Sequence, residues 1–345
     1  MQKLTVKTSR PYDVYIGRGA MKFLEDHLEE HGFCGKILVV TDQTIFDLHF
    51  DALKRYIPVE NVVVKIVPPS EAAKSFDNYL AVLKTLSDNN FTRGDVVLAF
   101  GGGAIGDLAA FAAATYLRGI RFFNVPTTLL SMCDASVGGK CGIDFLGKND
   151  VGTFYQPEIV ISDVSLLDTL PEIQFKSGMA EILKCAIISP IDFSLFDDEK
   201  KNVEELIFAA LSFKAKIVQA DEFDNAARHA LNFGHTLGHA IEQASSFKIL
   251  HGQAVAAGMS MITAMAALNG LVHKDMPDIV GGLIEKIGLS PTSPYDFSEL
   301  KKFVAKDKKN CGGVLKIVLA PRPHELMIVP VSLDSFLGGG KWATI

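Results

Sequence analysis

The sequence predicts an α/β domain on a mainly parallel sheet, followed by a second domain that is almost entirely helical. Three observations carry this prediction. Short β-branched runs alternate with helix-length segments over the first half, the pattern of a parallel sheet covered on both faces. From about Val164 the texture changes to long segments rich in Ala, Leu, Glu and Lys. At 345 residues the chain exceeds a single average core, so two domains, 1–163 and 164–345, are expected.

The expected strands are Asp13–Ile16, Ile37–Thr41, Val62–Ile66, Val96–Phe100, Phe122–Val125 and Ile159–Ser162, with helices such as Phe76–Ser87 and Ala104–Leu117 between them. In the second half Gln174–Ile188, Val203–Ala220, His229–Ser246, Gln253–Asn269 and Asp278–Ile287 read as helices. Val314–Leu319 and Glu325–Val331 read as paired strands near the C-terminus. No internal repeat or low-complexity linker interrupts the chain.

Apolar residues make up 48% and charged residues 21%, an ordinary globular composition. A net charge of −6 argues against general nucleic-acid binding and makes any local group of lysines and arginines informative. The five cysteines are odd in number and form no C-x-x-C pair, which suggests reduced thiols; Cys133, Cys141 and Cys185 read as small buried fillers. No stretch has the apolar length of a signal peptide or a membrane span, so a cytoplasmic protein with no membrane contact is expected.

Val96–Asp107 is a buried strand running through Gly101-Gly102-Gly103 into a helix that contains Gly106 and Asp107. Glycines there let backbone N–H groups approach a pyrophosphate, and the helix N-terminus adds a favourable dipole. The standard dinucleotide fingerprint also needs an acidic residue at the end of the next strand, and that strand ends instead in Val125-Pro126-Thr127-Thr128. Asp42, after Ile37–Thr41, is the better candidate for a ribose. Two readings stand side by side: a nucleotide cradle, or a tight strand–helix turn with no ligand.

Glu181, His235 and His251 form a second constellation. One carboxylate with two imidazoles is the ligand set of a catalytic zinc that keeps positions open for water or substrate, whereas a structural zinc site would be rich in cysteine. His235 and His239 are four apart, but Thr236 occupies the place where a metalloprotease helix needs Glu. Asn232 and Arg228 precede His235 by three and seven, extending a polar stripe along the expected helix. Lys184 lies one turn after Glu181. Lys140 and Lys148 sit in or after glycine-containing loops, a combination suited to phosphate or carboxylate, although no Walker A loop is present.

Taken together, Gly101-Gly-Gly-x-x-Gly-Asp107, Tyr116-Leu-Arg-Gly119, Pro126-Thr-Thr-Leu-Leu130, Asp134-x-Ser-Val-Gly-Gly-Lys140, Gly147-Lys-Asn149, Glu181-x-x-Lys184, Asn232-x-Gly-His-x-x-Gly-His239 and His251-Gly252 closely resemble the 3-dehydroquinate synthase family. The resemblance covers nearly the whole chain and weakens over the first 30 and last 35 residues. It implies an NAD-binding α/β domain, a helical domain carrying zinc or cobalt, an active site between them, and a homodimer. The implied reaction converts a sugar-acid phosphate, 3-deoxy-D-arabino-heptulosonate 7-phosphate, to 3-dehydroquinate and phosphate, with NAD reduced and reoxidised in each turnover.

The resemblance also implies residue roles. Glu181, His235 and His251 would hold the metal, and His239 would transfer a proton. Lys184, Lys214, Arg228 and Asp134 would orient the substrate's carboxylate and hydroxyls. Lys140, Asn149, Asn232 and Lys308 (or its neighbour Lys309) would bind its phosphate, with Arg118 reaching in from the partner subunit. Asp42, Glu71, Lys74, Gly101, Gly102, Gly103, Gly106, Asp107, Thr127, Thr128, Lys140 and Lys148 would surround NAD. The stretch from Lys140 to Lys148 is one residue shorter than the family pattern, with Cys141 and Phe145 where Thr and Pro are commoner.

Three alternatives remain. A sister cyclase acting on sedoheptulose 7-phosphate or glucose 6-phosphate would lack the carboxylate recognition that Arg228 and Lys214 supply. A metal-dependent polyol dehydrogenase would leave Lys140, Asn149 and Asn232 unexplained. A NAD-binding regulatory module without catalysis conflicts with an intact metal set and His239.

Overall fold

The structure, a computed structural model, describes residues 1–308 and 313–344. It divides into two compact units, Met1–Pro171 and Glu172–Ile345.

In the first unit the strands are β1 (Gln2–Val6), β2 (Tyr12–Gly17), β3 (Ile37–Asp42), β4 (Val62–Val67), β5 (Val96–Gly101), β6 (Arg121–Pro126), β7 (Lys140–Ile143), β8 (Val151–Phe154) and β9 (Ile159–Asp163). The helices are α1 (Lys22–Glu30), α2 (Gln43–Leu53), α3 (Phe76–Asp88) and α4 (Gly103–Thr115). Seven strands form one sheet in the order β1-β2-β9-β6-β5-β3-β4, parallel except for the β1–β2 pair. Every residue of β3 and β5 is buried, which is why both read as continuous apolar runs. Chain order reverses between β3 and β5: β4 lies on one side of β3 and β5 on the other. In open α/β sheets such a switch point leaves a crevice at the carboxyl ends of the strands, where ligands bind. Asp42 ends β3 and the glycine loop follows β5, so both stand at this crevice.

The six strands expected in this half are present. The sequence reading missed β1, β7 and β8. β1 is an edge strand alternating intermediate or buried with exposed residues, and the four-residue β7 and β8 make a separate hairpin too short to show a period.

The second unit contains α5 (Glu172–Ile188), α6 (Val203–Ala220), α7 (His235–Ala244), α8 (His251–Leu268), α9 (Met276–Lys286), α10 (Phe297–Lys308), the antiparallel pair β10 (Val314–Leu319) and β11 (Met327–Ser332), and α11 (Leu333–Gly338). No helix among the described residues is long and apolar enough to cross a membrane. One expectation needs correction. The helix read over His229–Ser246 is broken: Ala227–Asn232 is a 3-10 turn, and α7 begins only at His235. Gly234, between them, has a φ of +79°, a conformation that L side chains rarely adopt. A Cβ there would also stand 2.9 Å from the Val255 carbonyl oxygen of α8. Arg228 and Asn232 therefore lie on the turn that enters α7, and the polar stripe runs across two elements.

Candidate active site

In the second unit, α5, α7 and α8 bring Glu181, His235 and His251 together. The approach of α8 to α5 depends on Gly252, whose Cβ position overlaps the Ser177 carbonyl, while its N–H donates to Ser177 Oγ at 3.0 Å. That contact sets His251 beside Glu181, one turn further along α5. Glu181 is 2% exposed, and its Oε1 is buried without a hydrogen bond, although His235 Nε2 stands 3.6 Å away and His251 Nε2 3.4 Å away. A buried carboxylate oxygen left unbonded is costly unless something else fills its coordination. One potential ligand atom from each of the three residues lies within 4.8 Å of the other two, so the donor set fits a divalent cation.

The surrounding contacts orient these three side chains. Lys184 Nζ bonds the other Glu181 oxygen at 2.5 Å. His235 Nδ1 lies 3.1 Å from the Phe233 carbonyl, a partner that keeps the proton on Nδ1 and leaves Nε2 as a lone pair. His251 Nδ1 lies 3.3 Å from Glu242 Oε2. Glu242 is buried on α7 and forms a second close group with His239 and His251. The sequence reading did not single it out; the available signal was its position one turn after His239.

The charges follow from these neighbours. Burial works to raise the Glu181 pKa, but the Lys184 ammonium and then His235 hold the carboxyl well below the usual range. Burial pushes His235 down to about 3, so it is neutral, as a metal ligand must be. Burial also works to lower His251, but Glu181 and Glu242 on its two nitrogens outweigh it and hold it at about 10. A cation binding there displaces that proton.

His239 sits beside the metal set, its ring centroid 5.4 Å from that of His235 and 6.2 Å from that of His251. Lys184, Lys214 and Arg228 are all buried cations, at 2%, 6% and 5% exposure. The loop that carries Arg228 is shaped by Asp221, whose carboxylate accepts from the N–H groups of Asn225, Ala226 and Arg228. These bonds hold the Asp221 pKa at about 2. A cavity of about 320 Å³ is lined by His229, Asn232, His235, Thr236 and His239 from α7 and the turn before it, and by Val314, Leu315 and Lys316 from β10. Lys308 ends α10, but its side chain, like all of Lys309, lies outside the described residues.

In the first unit, Gly102 is the N-cap of α4 and offers no side chain to the first-turn N–H groups. Thr127 follows β6, its N–H donating to the Gly101 carbonyl at 2.9 Å, and its buried hydroxyl has no partner. An uncapped 13-residue helix beside an orphaned hydroxyl at a switch point fits a pyrophosphate. Asp42 Oδ1 caps α2 through Ile45 N at 3.0 Å, which leaves Oδ2 for a ribose. Lys74 is buried and pairs with Asp107 at 2.7 Å, while Lys148 pairs with Glu71 at 2.9 Å.

Lys74 also bonds the Asn149 carboxamide oxygen, so Asn149, read from sequence with the phosphate ligands, sits in the cluster read as cofactor-binding. Lys140 is exposed at the start of β7, and Asp134 is half-buried in the π-turn Ser131–Ala135. Thr128 Oγ1 accepts from Ser131 N at 3.2 Å. Arg118 is exposed in a left-handed backbone (φ 64°), on a cavity of about 480 Å³ that Arg10, Arg93 and Arg121 also line. Cys133, Cys141 and Cys185 are buried, as expected of fillers.

Residues 64–177 match the family model described as 3-dehydroquinate synthase N-terminal, and residues 178–310 match the 3-dehydroquinate synthase C-terminal model. A 3-dehydroquinate synthase of Dictyoglomus turgidum is 35% identical over 347 residues, covering 97% of this chain and 95% of the relative. Among solved structures, 2-deoxy-scyllo-inosose synthase complexed with carbaglucose-6-phosphate, NAD+ and Co2+ superposes with a TM-score of 0.88 at 23% identity, covering 98% of this chain and 99% of that one. The 2-epi-5-epi-valiolone synthase of Streptomyces hygroscopicus subsp. jinggangensis, with NAD+ and Zn2+ bound, superposes at 0.80 and 25% identity, covering 95% and 94%.

Proposed function

The chain belongs to the 3-dehydroquinate synthase family, and from that premise we propose how its own residues perform the reaction. It is a phosphate-eliminating cyclase that converts 3-deoxy-D-arabino-heptulosonate 7-phosphate to 3-dehydroquinate and phosphate with NAD and a divalent metal. In our reading Glu181, His235 and His251 hold the metal. The observation that carries this is the Glu181 Oε1 atom, buried, unbonded and facing two imidazole nitrogens at 3.4 and 3.6 Å.

When bound, NAD takes and returns a hydride within one turnover, and the metal acts as a Lewis acid toward a substrate hydroxyl. The chain supplies the rest. His239 moves the proton of the carbon-5 hydroxyl, directly or through a water. Arg228, Lys214 and Lys184, buried and therefore weakly screened, orient the substrate carboxylate, and Asp134 takes a hydroxyl. Asn232, Lys140, Lys308 and the free amide group of Asn149 take the phosphate. Glu71, Lys74, Asp107, Lys148, Asp42, Thr127, Thr128 and the Gly101–Gly106 loop surround NAD. Arg118, exposed and held in a left-handed turn, is offered to a second copy, which makes the working form a homodimer. We place that form in the cytoplasm, on the reading of the cysteines as reduced thiols.

Supplying 3-deoxy-D-arabino-heptulosonate 7-phosphate to zinc-loaded protein with sub-stoichiometric NAD tests the whole reading. Many phosphates released per NAD, with no accumulation of NADH, are expected. Net NADH would make the protein a dehydrogenase, and activity confined to sedoheptulose 7-phosphate would make it a sister cyclase.

A further inference from the structure

One cation on the cavity beside the metal set has no role in the reading above. Lys316 is the third residue of β10, exposed between buried Leu315 and Ile317, with Pro330 opposite it on β11. β10 packs on the 3-10 turn Ala227–Asn232, and Lys316 lines the same cavity of about 320 Å³ as Asn232, His235 and His239. Among the described residues, no carboxylate lines that cavity and Lys316 has no hydrogen-bond or ion-pair partner. Of the lysines of the second unit assigned to the substrate by resemblance, Lys184 and Lys214 do not line this cavity, and the side chain of Lys308 lies outside the described residues.

We propose that Lys316 is a substrate-binding residue that takes the phosphate end of the substrate, opposite Asn232. The inference rests on the reading of this cavity as the substrate site. Asn232 is neutral and offers an amide, which places a phosphate without balancing its charge. A dianion entering a protein of net charge −6 gains, beside Lys140 and Lys308, from a further cation on this cavity that is not already neutralised. Lys316 is such a cation: its strand is fixed by the buried flanking residues and the hairpin register, while its ammonium is uncommitted. A flexible stem suits a point-charge contact that must form as substrate arrives and relax as inorganic phosphate departs.

Two measurements on metal-loaded protein test this. The first is direct calorimetric binding of inorganic phosphate. The second is steady-state turnover of 3-deoxy-D-arabino-heptulosonate 7-phosphate. Lys316→Met is expected to weaken phosphate binding and raise KM by about tenfold or more, the loss of one charge-assisted hydrogen bond, with metal content and melting temperature unchanged. Lys316→Arg should recover most of both. Equal phosphate affinity in the wild type and a folded Lys316→Met variant overturns the proposal. Absence of turnover by the wild type instead defeats the functional reading, and the phosphate titration still judges Lys316 by itself.

Discussion

His251 stands between two carboxylates, with Glu181 at 3.4 Å from Nε2 and Glu242 at 3.3 Å from Nδ1. Replacing it with Ala should remove metal retention and turnover together; normal zinc content in His251→Ala by elemental analysis would sink the ligand assignment. Glu242 acts through His251, fixing the ring and its tautomer. Glu242→Ala should weaken metal affinity about 10- to 100-fold in competition with a chelator, whereas Glu242→Gln, which still accepts from Nδ1, should lose less. Equal affinities across the three proteins would reduce Glu242 to a packing residue. Arg228 is a separate case, because its charge faces substrate in this reading. Arg228→Ala should raise KM for the acidic substrate by about tenfold or more while leaving metal content intact. An equal loss with a neutral sugar phosphate would remove its carboxylate role.

Among elements, helix packing decides whether Glu181, His235 and His251, the proposed ligands, meet. α8 approaches α5 at Gly252 and α7 at Gly234, and both contacts leave no room for a methyl group. Gly252→Ala should destabilise the protein by about 1–3 kcal/mol in denaturant unfolding and loosen the metal site, since overpacking forces backbone shifts. Retained stability and metal affinity would show that the helices slide freely. At the base of β5, Asp95 accepts from Lys36 N at 2.7 Å and from Thr92 N at 2.6 Å. Burial works to raise its pKa, but these bonds outweigh it and hold the carboxyl below the usual range. A depressed folded pKa means that the stabilisation is fully present above the unfolded value of about 4 and disappears as pH falls through the folded value. The stability difference between wild type and Asp95→Asn should therefore be about 1–3 kcal/mol at neutral pH and shrink toward pH 3. A pH-independent difference would contradict this account.

At the scale of the whole molecule, a ligand that binds only the folded chain stabilises it by mass action. Stripping the metal with a chelator should lower the melting temperature by several degrees, and zinc at about 100 times its Kd should restore about 2.7 kcal/mol. An unchanged melting curve would mean that the buried Glu181 oxygen needs no cation. The sequence by itself determined the two textures, six strands of the large sheet, the helices α5 to α9 of the second unit apart from the start of α7, and the residue types of the candidate metal set. Those properties follow from local periodicity, from runs buried on both faces, and from the few side chains able to ligate zinc. Tertiary structure decided the break before α7, which a repeating apolar pattern hides because the left-handed Gly234 answers to α8 rather than to its neighbours in sequence. It also decided that Asn149 pairs with Lys74, that Glu242 turns to His251, and that Lys316 reaches the cavity of Asn232 and His239. Each is a contact between residues far apart in the chain or an orientation set by packing, and neither has a period that a sequence can display.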